Sequence, residues 1–566
     1  MTSLSEISPS THSSQSLQIV VAQLNCQVGD IPGNTALVLD AARQAIDSHQ
    51  ATLVVFPELT LVGYSPEDLL LRPALQGRIE RALSSIVSAT LPCWLVVGHP
   101  WEQQGQLYNA LSVIHGDQVV ARYFKQCLPN TQVFDEKRYF TAGERPCVVA
   151  IEGVRVGFSI CEDLWAPEPA RQAADAGAEL LVNINASPFH TDKMEQRVAL
   201  LEQRQQDTGL PIIYANLVGG QDELVFDGNS LVADARGVVQ TGPAFAEALV
   251  PLKMEKYQGR WQLANAPNRL SSDAPSDTVI EQRCYQAMVL GLRDYITKNG
   301  FSSVILGLSG GIDSALSLAV AVDALGAEQV SCVMMPFTYT SQLSLELAAE
   351  QAERLQVSYR VIPIEQAYEA FTTALVGELP EQGASLALQN IQARCRGVLL
   401  MALSNTTGAL VLTTGNKSEL AVGYCTLYGD MVGAFSVLKD VSKTLVYRLA
   451  RYRNAAAEAA GEADFIPRQV IERPPSAELA PEQKDEDNLP PYDRLDPLLA
   501  LYVEEDLSAE QIVEQGFDRD EVYRVARLVD ISEYKRRQGA IGVRLTQRGF
   551  GRDRRYPLTH AWKAGD

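Results

Sequence analysis

Apolar residues come in short unbroken runs through the first half of the chain. "SLQIVVAQL" (16–24), "ATLVVFPEL" (51–59), "PCWLVVGHP" (92–100), "AELLVNINASP" (178–188) and "LPIIYANLVG" (210–219) are rich in β-branched residues and seldom alternate with polar ones. Such runs mark strands buried on both faces. Between them, "NALSVIHGDQVVARYFK" and "PCVVAIEGVRVGFSICED" read as hairpins turning at "HGDQ" and "EG". The pattern predicts a mixed sheet covered by helices over residues 17–263. At 264–278, "ANAPNRLSSDAPSDT" carries no apolar periodicity and reads as a linker. A helix-like stretch follows from 279, and then a strand–loop–helix unit, "VILGLSGGIDSALSLAVAVDALG". "VSCVMMPF", "SYRVIPI" and "ALVLTTGNKSEL" continue as parallel-type strands. Residues 279–566 therefore predict a second α/β domain, doubly wound around a parallel sheet. Within it, the proline-rich acidic stretch 466–495 predicts a mobile, lid-like loop.

Size agrees with this division, since 566 residues are too many for one ordinary domain. Hydrophobic content of 46% and charged content of 21% are those of a globular protein. The net charge of −21 argues against a nucleic-acid-binding surface, which needs clustered Lys and Arg. One basic strip, "YKRRQGAIGVRLTQRGFGRDRRYP", reads either as solvated surface or as an anionic small-molecule site. Residues 1–16 are Ser-rich, without a basic or apolar segment, and read as a disordered tail rather than a signal peptide. No apolar run approaches the roughly 18 residues of a membrane span. The nine cysteines form no CxxC pair and the six histidines no HExxH spacing. That usage suits a reducing cytoplasm and speaks against a structural zinc site.

In "VILGLSGGIDSALS" a strand runs into glycines and a helix begins near Asp313. Gly310 and Gly311 let the backbone approach an anion, and the helix N-terminus offers free N–H donors. Ser309 and Ser314 supply hydroxyls. Asp313 beside a phosphate makes sense if Mg²⁺ sits between them. The lysine of a Walker loop is missing. The arrangement resembles the loop of the ATP pyrophosphatase superfamily, whose members cut ATP between its α and β phosphates. The resemblance implies that Gly307, Leu308, Ser309, Gly310, Gly311, Ile312, Asp313 and Ser314 bind ATP, and that the substrate is adenylated.

Three later segments narrow the acceptor. "LQNIQARCRG" holds Asn390 and Arg394, an amide and a planar cation suited to a pyridine carboxylate and phosphates. "LTTGNKSELAVGYCTLYGDM" places Thr414 at a strand end and Glu419 where it can join Asp313 on a metal. "SVLKDVSKTLVYRLA" offers Lys443 to a nucleotide phosphate. With "PSAELAPEQKDEDNLPPYD" and "EYKRRQ", these resemble the NAD⁺ synthetases. The resemblance implies contacts of Asn390, Arg394, Glu419 and Lys535 with deamido-NAD⁺, of Thr414 and Lys443 with ATP, and of Asp313 and Glu419 with Mg²⁺. Gln389 departs from the Glu that many members carry there.

Cys161 ends an apolar run in "VGFSICEDLW". A buried cysteine is usually a small hydrophobe, but Glu162 and Asp163 follow it at once. A nucleophilic thiol needs a base and a cation, and spacing suggests no pairing with His99, His115 or His190. Glu58 in "VVFPEL" and Lys125 in "ARYFKQCLPN" each stand at a strand end. Together the three segments resemble the nitrilase superfamily over roughly residues 17–260. That resemblance implies an α-β-β-α sandwich, with Glu58 as base, Lys125 as oxyanion partner and Cys161 as nucleophile. It also implies that Ser187, Lys193 and Thr131 hold glutamine. Thr131 replaces a usual Tyr and removes an aromatic wall.

Taken whole, the chain resembles the glutamine-dependent NAD⁺ synthetases. The resemblance implies small-molecule substrates (glutamine, deamido-NAD⁺ and ATP), a protected ammonia route between domains and a homo-oligomer formed through the second domain. Amidotransferases of the GMP synthetase type use a Cys-His-Glu glutaminase, and those of the asparagine synthetase type use a cysteine at position 2, where Thr2 stands here. A tRNA-modifying relative would want a basic surface. A nitrilase-type amidohydrolase with an ATP-sensing domain leaves "NIQAR" and "EYKRRQ" without a task, and an inactive binding protein leaves the filled catalytic positions without one.

Overall fold

The computed structural model describes residues 16–266, 277–379, 386–476, 478–480, 485–487 and 489–564. Most of the expected tail and linker, and parts of the 466–495 stretch, lie outside these. Ser16, assigned by composition to the tail, already pairs with Glu255 in a strand.

The first domain builds two sheets in turn. Strands β1 (Ser16–Gln23), β2 (Leu53–Val55), β3 (Trp94–Gln103), β4 (Gln106–His115) and β5 (Gln118–Phe124) form most of one. The chain then crosses to β6 (Cys147–Ile151), β7 (Val154–Ile160), β8 (Leu180–Asn185) and β9 (Ile212–Asn216). A two-stranded ribbon follows, β10 (Val218–Gln221) with β11 (Leu224–Asp227), before β12 (Leu231–Asp234) and β13 (Gly237–Thr241) complete the second sheet. Finally β14 (Ala248–Tyr257) and β15 (Arg260–Leu263) return to the first, giving the order β15-β14-β1-β2-β3-β4-β5. The two predicted hairpins are β4–β5 and β6–β7.

Packing explains the unbroken apolar runs. Ile19 and Val21 of β1 face Val156, Phe158 and Ile160 of β7 in a core between the sheets. Their neighbours Val20 and Ala22 face outward, under helices α1 (Ile31–His49) and α2 (Leu75–Ser88). Helices α3 (Pro167–Asp175) and α4 (Lys193–Thr208) cover the other sheet. The central strands thus bury both faces in a four-layer α-β-β-α sandwich.

The second domain opens with α5 (Asp277–Lys298) and, among the described residues, holds five parallel strands: β16 (Val304–Gly307), β17 (Val330–Met334), β18 (Ser358–Val361), β19 (Leu410–Thr413) and β20 (Phe435–Ser436). Their order is β18-β17-β16-β19-β20. The chain winds outward from β16 in one direction, then restarts on its other side, so β16 ends at the topological switch point where α/β sheets bind ligands. Helix α6 (Ile312–Leu325) starts there, and α7 (Gln342–Arg354) and α8 (Glu365–Ala374) follow β17 and β18. The sheet lies between one core shared with α5 and α6 and another shared with α9 (Leu386–Thr407).

The domains are joined by buried polar contacts. Asp294 on α5 accepts hydrogen bonds from Asn25 Nδ2 at 2.8 Å and from Gly220 N on the ribbon at 2.6 Å. Lys298 donates to Asn25 Oδ1 at 2.7 Å and to the Gly220 carbonyl at 2.9 Å. The basic strip turns back onto the first domain: Arg552 reaches Glu67 at 2.8 Å, and Arg544 N donates to the Glu223 carbonyl at 2.8 Å. The strip serves in part as a domain interface, while Lys535 near its start lines a cavity of the second domain. No helix among the described residues is long and apolar enough to cross a membrane.

Candidate active sites

Glu58 sits just beyond β2, against β3. A Cβ on Gly98 would lie 2.5 Å from the Pro57 carbonyl, so only glycine permits this approach. The carboxylate is buried and fully engaged. Its Oε1 accepts from Lys125 Nζ at 2.7 Å and Asn109 Nδ2 at 2.7 Å, and its Oε2 from Ala186 N at 2.9 Å. Lys125, just past β5, also reaches Glu136 Oε1 at 2.9 Å. Burial alone would pull Lys125 down, but Glu136 and Glu58 outweigh it and hold the ammonium charged. Burial pushes Glu136 up to about 7, with Lys125 pulling against it and Glu58 adding to it. Tyr64 donates to the same Glu136 oxygen at 3.0 Å.

Cys161 follows β7 directly and opens a short 3₁₀ turn with φ of +45°. That left-handed conformation is costly for a non-glycine residue and is held by its surroundings. Asp163 supplies the hold. It accepts from Ile160 N at 2.9 Å, Tyr123 OH at 2.8 Å, Cys127 N at 2.8 Å and Gln126 N at 3.0 Å. The end of β7 is thereby pinned to the segment carrying Lys125. Burial, then the charge of Glu58, raises the Cys161 thiol well above its ordinary range, while Lys125 acts in the opposite direction. Cys161 is therefore a thiol at rest. His99 bonds instead to the Pro100 carbonyl and Ser112.

Ser187 accepts from Arg197 Nε at 3.2 Å, and Arg197 is locked to Asp227 at 2.8 and 3.0 Å. Lys193 lies 4.2 Å from the Trp165 ring centre, and burial, then Arg197, lowers it to about 8. Thr131 is exposed in the loop after β5. Sequence reasoning missed Glu136, Asn109 and Arg197.

In the second domain a cavity of about 460 Å³ opens at the end of β16. Its wall includes Gly307, Leu308, Ser309, Gly311, Ile312, Asp313 and Ser314. Gly310 has φ of +78°, and a Cβ there would lie 2.4 Å from the Ser344 carbonyl. Ser314 Oγ donates to the Gly311 carbonyl at 3.0 Å and accepts from Ser309 N at 3.2 Å. Thr414, Asn390, Glu419, Lys443 and Lys535 also line the cavity. Lys535 donates to the Gly423 and Cys425 carbonyls, each at 2.7 Å, and Asn390 Oδ1 accepts from Thr426 at 2.9 Å. From the 466–495 stretch, Arg473, Glu478 and Asp485 form part of the wall. Glu478 accepts from Ser341 at 2.9 Å and Ser344 at 2.8 Å at the start of α7.

Two expectations need correction. Arg394 is exposed and donates to the Leu427 carbonyl at 3.2 Å, whereas Arg396 lines the cavity. Two residues along a helix is a turn of roughly 200°, which sends these arginines to opposite sides. Lys443, expected on a phosphate, lies between the two expected metal ligands, 2.6 Å from Asp313 and 3.1 Å from Glu419. Burial pulls Lys443 down, but Asp313 and Glu419 prevail and keep it charged. Burial lifts Glu419 to about 7 against the pull of Lys443. Asp485 adds a buried oxygen with no hydrogen-bond partner among the described residues. Among those residues no three potential ligands stand grouped as a metal site. Magnesium takes one or two carboxylates and completes its shell with water and substrate phosphates, so Asp313 and Glu419 fit it.

Fold and sites together define an amidotransferase-type ligase, an amide-hydrolysing domain joined to a nucleotide-activating one. Family models agree on both halves: the carbon-nitrogen hydrolase family matches residues 18–250 and the NAD synthase family residues 284–539. A glutamine-dependent NAD⁺ synthetase of Acinetobacter baylyi is 45% identical over 554 residues, covering 98% of this chain and 100% of its own. One from Thermotoga maritima is 41% identical, covering 97% and 99%. The solved structure of the Acinetobacter baumannii enzyme in complex with ADP is 43% identical with a TM-score of 0.76, covering 98% of this chain and 100% of that one. The chain belongs to the glutamine-dependent NAD⁺ synthetases.

Proposed function

We propose that this chain converts deamido-NAD⁺ to NAD⁺ in the cytoplasm, with Cys161 releasing the nitrogen from glutamine and the β16 loop gripping pyrophosphate. The observation that carries the reading is the arrangement around Lys125, fixed between Glu58 and Glu136 beside Cys161, on one chain with an SGGIDS loop at a sheet switch point.

Glutamine is held through Ser187 and Lys193, with Thr131 at the entrance. Glu58 takes the proton of the Cys161 thiol as sulfur attacks the side-chain amide, and the oxyanion that forms faces Lys125. The proton passes to the departing nitrogen, ammonia leaves, and a thioester remains. Glu58 then takes a proton from water, which attacks the thioester and frees glutamate.

In the second site, the nicotinate carboxylate of deamido-NAD⁺ attacks the α-phosphorus of ATP. The bond to the β-phosphate breaks, and pyrophosphate departs into the N–H groups around Gly310 and Gly311. Ammonia attacks the resulting acyl adenylate, giving NAD⁺ and AMP. Asn390, Glu419 and Lys535 orient deamido-NAD⁺, and Thr414 faces ATP. A homo-oligomer forms through this domain. Magnesium, held by Asp313 and Glu419, would neutralise charge on the ATP phosphates. Lys443 keeps those two carboxylates together.

The test supplies ATP, Mg²⁺, glutamine and deamido-NAD⁺ and measures NAD⁺, AMP, pyrophosphate and glutamate. Formation of ADP in place of AMP sinks the reading. Cys161→Ala abolishes glutamine-driven synthesis and leaves synthesis from added ammonium; equal loss of both in folded protein refutes the division of labour.

A further inference from the structure

Three of the cavities among the described residues lie in series. One of about 630 Å³ occupies the cleft between the domains, walled by Glu67 and Asp135 on one side and Arg552 on the other. The nucleotide cavity lies beyond. Between them is a cavity of about 20 Å³, room for a single molecule the size of water. It shares Glu419, Cys425 and Asp430 with the nucleotide cavity, and Lys439, Arg536 and Phe550 with the cleft.

The cleft backs onto the Cys161 site. Asp135 lines it, and the next residue, Glu136, bonds to Lys125. Likewise Tyr64 bonds to Glu136, while Ser65 donates to Glu67 on the cleft wall at 2.8 Å. One short stretch of chain thus spans from the catalytic lysine's partner to the cleft.

Lys439 stands at the neck between the cleft and the small cavity. Its Nζ donates to the Ala540 carbonyl at 2.7 Å, its one hydrogen bond among the described residues, and it makes no ion pair among them. Gly542 brings the facing segment close, since a Cβ there would lie 2.7 Å from Lys439 Cβ. Glu223, Asp440 and Asp553 act on the charge of Lys439, but a single carbonyl holds it by a hydrogen bond. It is well placed to move.

We propose that Lys439 gates the passage of nitrogen into the synthetase site. The inference rests on the reaction proposed above and assigns its route and its selectivity. Breaking one hydrogen bond swings the side chain aside and joins the cleft to the small cavity. The ammonium on Lys439 meets NH₄⁺ with a like charge, against the pull of Glu419 and Asp430 in the small cavity, and is indifferent to NH₃, so the neck favours the form that can attack an acyl adenylate.

The experiment measures glutamate and NAD⁺ released together by the full-length protein, and NAD⁺ made from added ammonium. Lys439→Met keeps the length of the side chain and removes the charge and the bond. The passage then stays wet between turnovers, and glutamate released per NAD⁺ rises about threefold or more while ammonium-driven synthesis stays within about twofold. Ser436, buried in the wall of the small cavity, offers a plug. Ser436→Leu, or the smaller Ser436→Val, lowers glutamine-driven synthesis about tenfold with ammonium-driven synthesis retained. An unchanged ratio in both the Lys439 and Ser436 variants overturns the gate. So does a fall of ammonium-driven synthesis in step with the glutamine-driven rate. Failure of the unsubstituted protein to use ammonium at all overturns the reaction itself.

Discussion

At the scale of single residues, the glutaminase centre is arranged to keep its nucleophile quiet. Burial and the charge of Glu58 both favour the Cys161 thiol, so in the proposed mechanism the thiolate forms as the proton moves to Glu58. The sign can be checked with Glu58→Gln. Removing the anion lowers the thiol pKa, so Cys161 is alkylated faster by iodoacetamide at pH 8 than in the parent. Glutamine hydrolysis nevertheless falls about 10²–10⁴-fold for want of a base. Slower alkylation would show that Glu58 stabilises the thiolate instead. The three proposed catalytic positions each stand at a strand end in the sequence, but it was the nitrilase resemblance of their segments together that singled them out. Glu136 was not legible: it lies in "FDEKR", which reads as a charged surface turn, and only folding turns it inward to Lys125. Arg197 was hidden in the same way, as one cation along a polar helix.

At the scale of elements, glycines set the two backbones that matter. A side chain at Gly310 meets both a left-handed φ and the Ser344 carbonyl. Gly310→Ala strains the phosphate loop by about 1–3 kcal/mol, which predicts a loss of about tenfold to hundredfold in kcat/KM for ATP in ammonium-driven synthesis. Glutamine hydrolysis, measured as glutamate release, should be unaffected. Strand positions were readable because runs buried on both faces admit no polar alternation. The stacking of two such sheets was not, since a one-sheet and a two-sheet packing bury the same runs. It came from the resemblance carried by Glu58, Lys125 and Cys161. Helix phase was the other blind spot: "QARCRG" offers two arginines, and only the axis of α9 decides that Arg396 faces the cavity.

At the scale of the molecule, the joint between domains is polar and specific. Asp294→Ala leaves the Gly220 N–H and the Asn25 amide without their acceptor, at a cost of about 1–3 kcal/mol. The expected outcome is a lower urea midpoint for the parting of the domains, followed by tryptophan fluorescence; an unchanged midpoint would show the contact to be dispensable. The joint was illegible in the sequence because its partners, such as Glu67 and Arg552, lie far apart along the chain. Their pairing also bears on how the protein is made. Ribosomal synthesis delivers Glu67 and Glu223 early and Arg544 and Arg552 late, and domains fold as they emerge. If the first domain folds alone, a half-translated or clipped chain would present an amide-cleaving domain whose cleft face Arg544 and Arg552 do not yet cover. Such a chain would spend glutamine for nothing, which makes full-length translation a matter of nitrogen economy as well as of stability.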